Sequence, residues 1–120
     1  MAQGRAAVGE KMRATFKGRE GQTFGRAEIA RMVVADYPEV KLGSVLASDH
    51  AYNMMNDGVT RVAWRPIFER VSRGRFKCLG PGYAYSGPVE ATPWGGRGTF
   101  VVGQWRDGKV TWAMGLSGGV

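Results

Sequence analysis

Apolar positions along this chain follow two different periods. Val8, Met12, Thr15 and Phe16 stand at i, i+4, i+7 and i+8, one face of a helix from about Gly4 to Lys17. Lys17-Gly18-Arg19-Glu20-Gly21 breaks that helix with two glycines. Ile29, Met32, Val33 and Tyr37 restore the helical spacing. Pro38 ends the run, because proline has no N–H to donate and its ring collides with the preceding turn. The start of this second helix is also written in the sequence. With Gly25 as N-cap, Glu28 takes the third helical position and reaches back to the cap N–H, while Phe24 and Ile29 occupy the positions of a hydrophobic staple.

A short turn from Glu39 to Gly43 leads to a third predicted helix, capped by Ser44 or by Ser48 and running to about Asn56, where Asp57-Gly58 stops it. Leu46, Ala51, Met54 and Met55 would pack, while Ser48, Asp49, His50, Tyr52, Asn53 and Asn56 offer donors and acceptors. Two helices joined by a short turn, the second rich in such groups, is the helix-turn-helix arrangement.

The period then changes to two. Ile67 to Val71 and Arg75 to Leu79 flank Ser72-Arg73-Gly74, a hairpin signal. With Arg73-Gly74 as the turn, Val71, Phe76 and Cys78 share an apolar face, and Arg70, Arg75 and Lys77 a basic one. Gly80-Pro81-Gly82, Ser86-Gly87-Pro88 and Pro93 to Gly98 read as loops. Thr99 to Arg106 and Lys109 to Gly115 flank Asp107-Gly108, the strongest hairpin signal in the chain. That register groups Val101, Gly103 and Trp105 with Val110, Trp112 and Met114. So apolar a face needs a cover, from the rest of the chain or from a partner.

Charge sharpens the picture. The formal net charge is +7, and residues 41–80 alone carry seven basic against three acidic residues. Clustered cations on one element are the footprint expected for a polyanion; the bland alternative is a solvated surface that promotes solubility. The length, 120 residues, and the 43% apolar content suit one folded domain. No apolar run approaches the roughly 20 residues of a membrane span, and Met1 to Gly9 has no continuous apolar segment. One cysteine, Cys78, excludes an internal disulfide and suits a reducing cytoplasm; with one histidine beside it, a Cys/His zinc site is excluded too.

Thr23-Phe24-Gly25-Arg26-Ala27-Glu28-Ile29, Tyr37-Pro38, Gly43 to Asn53, Phe68 and Arg73-Gly74-Arg75-Phe76-Lys77-Cys78-Leu79-Gly80 together form a pattern. It resembles a small winged-helix-like domain found beside HNH nuclease domains in bacterial restriction-type endonucleases. The likeness spans about residues 23–80. Gly25 stands where that family favours threonine, and Ala47 where it favours proline. The nuclease motif is missing, since it needs several histidines and His50 is alone. The resemblance implies target recognition in a restriction-associated or phage-related setting, and it carries over no cleavage.

Catalytic constellations are weak. His50 follows Asp49 directly, and adjacent helical residues point apart. Asp36, Glu39 and Lys41 make a poor likeness of a nuclease signature, with their spacing at a helix end. Gly95-Gly96-Arg97-Gly98 is one copy of an RNA-binding fragment and reads better as loop. Trp94, Trp105 and Trp112 suit a core or interface better than base stacking.

The expectation is therefore an α+β protein: a winged helix-turn-helix of three helices plus a β-hairpin wing over residues 1–80, with an additional C-terminal β-hairpin in 81–120. Its expected role is non-catalytic, cofactor-free binding of double-stranded DNA, as a monomer or a homodimer. The recognition helix (about 44–56) would contribute Ser44, Ser48, His50, Asn53 and Asn56 to bases and phosphates. Asn53 has an equally good structural role, fixing the following loop. Arg26, Lys41, Arg61, Arg65 and the wing residues Arg70, Arg73, Arg75 and Lys77 would hold phosphates. The alternative is a protein-binding subunit or inhibitor of a nucleic-acid enzyme, acting through the wing and the Val101/Trp105/Val110/Trp112/Met114 face.

Overall fold

The computed structural model describes residues 5–55, 66–91 and 100–112. The order of elements is α1 (Arg5–Phe16), β1 (Thr23–Gly25), α2 (Arg26–Asp36), two 3-10 turns (Leu42–Ser44 and Ala47–His50), β2 (Met54–Met55), β3 (Phe68–Ser72), β4 (Arg75–Cys78), β5 (Gly87–Ala91), β6 (Phe100–Arg106) and β7 (Lys109–Trp112). They form two sheets, ordered β1-β4-β3 and β2-β5-β6-β7.

Both expected N-terminal helices form where their patterns place them. Val8, Met12, Thr15 and Phe16 are all buried. At α2 the Gly25 N–H donates to the Glu28 carboxylate at 3.2 Å, and Phe24 and Ile29 lie in the same core. That core sits between the two helices and the first sheet, where Phe16 meets Phe24 and Phe68 edge-to-face at 5.0 and 5.1 Å.

The third helix does not form, and with it the three-helix winged helix-turn-helix falls. The fold is a sheet-rich α+β arrangement with two helices among the described residues. Residues 42–50 make two single 3-10 turns, closed by Ser44 N–H to Lys41 O (2.9 Å) and Asp49 N–H to Leu46 O (3.0 Å), with Leu46 extended between them. Beyond His50 the backbone bonds outside itself. Ile67 N–H donates to His50 O at 2.9 Å, and Tyr52 N–H to Phe68 O at 2.7 Å. Serine, aspartate, histidine and asparagine have modest helix propensity, so this pairing with the start of β3 prevails over a local helix. The segment then becomes β2, parallel to β5.

Two strand registers also differ from simple alternation. In the first hairpin Ser72 pairs with Arg75 as expected, but a bulge follows, so Arg70 pairs with Phe76, Glu69 with Lys77 and Phe68 with Cys78. Arg70 thereby shares the face of Phe76 instead of joining Arg75 and Lys77, so the expected three-residue basic face is split. Val71 is turned outward, 49% exposed, and is not part of the apolar face. In the second hairpin Trp105 pairs with Val110 and Gly103 with Trp112, as expected. Asp107 and Gly108 both have positive φ (49° and 82°), the two-residue turn that matches strand twist. A bulge opposite Val89/Glu90 then buries Val102 and leaves Val101 53% exposed, the reverse of the expected face.

Three strands among the described residues were not expected, β1, β2 and β5, and β5 is the longest of them. Gly87-Pro88 signals a loop, yet the strand pairs with β6 along its length, and β2 reaches only Glu90 and Ala91. Through β5 the C-terminal hairpin acquires its cover from the same chain. Tyr52, Tyr85, Val89, Val102 and Trp105 form a second buried cluster, with Val110 and Trp112 half-buried against it. Trp105 Nε1 donates to the Tyr52 carbonyl at 2.8 Å, and its ring stands edge-on to Tyr52 at 5.2 Å. Met114 lies outside the described residues.

Candidate nucleic-acid interface

One end of the first sheet collects the cations. β1 pairs with β4 so that Gly25 lies opposite Arg75, and the Arg26 N–H donates to the Gly74 carbonyl of the hairpin turn at 2.9 Å. Gly74 has φ +72°, and a Cβ on it would come within 3.8 Å of the Arg26 guanidinium. Arg26, Arg73 and Arg75 therefore meet at the hairpin tip, with Arg70 and Lys77 just behind on β3 and β4. The four arginines are exposed and Lys77 is partly so. Among the described residues none of the five side chains makes an ion pair.

The two nearby carboxylates are held by other groups. Glu28 accepts the N-cap N–H of α2. Glu69 lies opposite Lys77 in the ladder, but its Oε2 accepts the Tyr85 hydroxyl at 3.2 Å. Burial, with the Glu69 charge and this bond adding to it, pushes the Tyr85 phenol up to about 12.

The remaining expected contacts scatter. Lys41 and Ser44 are exposed at the first 3-10 turn, which follows the C-terminal end of α2, whereas Arg26 opens its N-terminal end. Ser48 is half-buried, and His50 is buried with its ring against Gly9 of α1. Asn53 spends its side-chain amide on β3: Nδ2 donates to Arg70 O at 2.8 Å, and Oδ1 accepts Arg70 N–H at 2.9 Å. These bonds fix β3, whereas the structural role weighed for Asn53 is to fix the loop that follows it, which lies outside the described residues. Asn56, Arg61 and Arg65 lie outside the described residues. Sequence reasoning missed Val71, because only the bulge brings it to the basic tip.

Other reactive groups are occupied with packing. The Cys78 thiol is fully buried, donates to the Phe16 carbonyl at 3.8 Å, and is pushed up by burial and by the charge of Glu20. It lies beneath a hollow of about 400 Å³ between α1 and Pro81, whose floor residues Phe16 and Ile67 are themselves buried. Among the described residues, no three His, Cys, Asp or Glu side chains gather as metal ligands, and no helix is long and apolar enough to cross a membrane.

Fold and site together define a sheet-rich α+β protein with a preformed cationic hairpin tip. The chain belongs to the family described as Domain of unknown function (DUF7225), which matches residues 7–112. No curated protein and no solved structure matches it.

Proposed function

We propose that this protein binds double-stranded DNA without cleaving it, gripping the phosphate backbone with the hairpin tip. The observation that carries this reading is the gathering of Arg26, Arg73 and Arg75 at the turn end of the first sheet, with Arg70 and Lys77 next to it on β3 and β4 and no ion pair to any of the five among the described residues. Like charges held together on a folded surface repel, and a polyanion relieves that repulsion while releasing its own counterions. Guanidinium groups also match phosphate oxygens in geometry. With residues 44–55 folded as turns and strand, the hairpin takes the role once expected of a recognition helix. The reading includes a reducing compartment, the cytoplasm, with which a single buried cysteine is compatible.

Fluorescence anisotropy with a random-sequence duplex at several salt concentrations tests the proposal. Five phosphate contacts give a slope of log K against log salt of about −4 to −5. Replacing Arg70, Arg75 and Lys77 by alanine should weaken binding to all sequences and flatten the slope by about three units. Absence of binding by the intact protein at low salt would retire the proposal.

A further inference from the structure

The bulge in β3 does more than disturb a register. Simple alternation would turn Val71 inward beside Phe76, yet the ladder passes from Arg70↔Phe76 directly to Ser72↔Arg75 and leaves Val71 without a partner. Its side chain emerges 49% exposed between Arg70, Ser72 and Arg73, all exposed. The bulge is also held. β3 is an edge strand, and Asn53 fills that edge by bonding both backbone groups of Arg70, the residue just before the bulge. Bulges of this kind re-aim a side chain. Here an apolar group stands fixed in the middle of a basic surface.

We propose that Val71 reads the C5-methyl group of a 5-methylpyrimidine, with the β3 edge and the β3–β4 turn of the three-stranded sheet facing the DNA major groove. This rests on the DNA-binding reading above and adds a base contact to it. The major groove displays the thymine methyl as its one apolar feature, and small apolar side chains pack against it. The flanking arginines suit the phosphates, so the isopropyl group is the part of the tip suited to a methyl. Thymine and 5-methylcytosine present the same group at the same place.

The test compares otherwise identical duplexes by anisotropy: thymine against uracil in one pair, 5-methylcytosine against cytosine in the other. The intact protein should bind the methylated member of at least one pair more tightly, by about fourfold for each methyl contacted. Which pair responds identifies the base. V71S, which puts a polar group at this exposed position, should keep its circular dichroism spectrum and its salt slope while binding both members of each pair equally. Equal binding by the intact protein, or discrimination that survives in V71S, would overturn the Val71 assignment and leave backbone binding standing. Failure to bind any duplex would instead defeat the underlying DNA reading.

Discussion

Gly9 of α1 lies against the imidazole of His50: a Cβ on Gly9 would stand 2.9 Å from Cε1 and 3.3 Å from Nδ1. Glycine inside a helix ordinarily costs about 1 kcal/mol relative to alanine. Here the missing side chain is what lets the helix reach the buried histidine. G9A should therefore lower the thermal midpoint despite its better helix propensity, because a packed ring has to move. In a G9A/H50A double variant the alanine at position 9 should become neutral or favourable. Urea unfolding of the four proteins in that cycle measures the coupling, and a stabilised G9A single variant would contradict the packing argument.

Asn53 ties the two sheets together. Its side chain brackets Arg70 on β3, while its carbonyl accepts the Glu90 N–H of β5 at 3.1 Å. N53A keeps the second link and cuts the first, with an expected loss of about 1–2 kcal/mol from two hydrogen bonds at a partly exposed site. Amide exchange should localise the damage. The Arg70 N–H should lose protection while amides of α1 keep theirs, and unchanged exchange at Arg70 would count against the clamp.

Tyr85 gives the protein an alkaline signature. Its phenol is raised from 10.0 to about 12 by burial and by Glu69, so the folded state favours the neutral form. A group with a raised folded pKa contributes stability that is fully present below the unfolded value. That contribution is lost as pH climbs from about 10 through about 12. Burial raises Tyr52 as well, and its hydroxyl donates to the Gly80 carbonyl at 2.7 Å. Unfolding free energies measured across pH 9–12 should fall more steeply for the native protein than for Y85F. Parallel curves would show that Tyr85 ionises equally easily in the folded and unfolded chains.

Much of this molecule was legible along the chain. The helical repeat of Val8, Met12 and Phe16, the Gly25/Glu28 cap and the Asp107-Gly108 turn all rest on contacts within a few residues, and each appears where the pattern places it. The basic hairpin was legible too as a concentration of charge around one turn, although the bulge splits its cations between the two faces. Less was visible of the site's arrangement. Arg26 joins the tip only because β1 pairs with β4, and Val71 only because of a bulge.

The sequence by itself determined the first two helices, both tight hairpins and the concentration of positive charge, since periodicity, caps and turn residues act locally. Tertiary structure decided the fate of residues 44–55, the existence of β5 and the face shown by Val71 and Val101. Each of these turned on a competition between local preference and distant backbone partners. Tyr52 bonded Phe68 instead of its own turn, and Val89 found Gly103 across a segment that reads as loop. A single unpaired residue in a ladder then reversed which side chain meets solvent, a choice that period-two reading has no means to see.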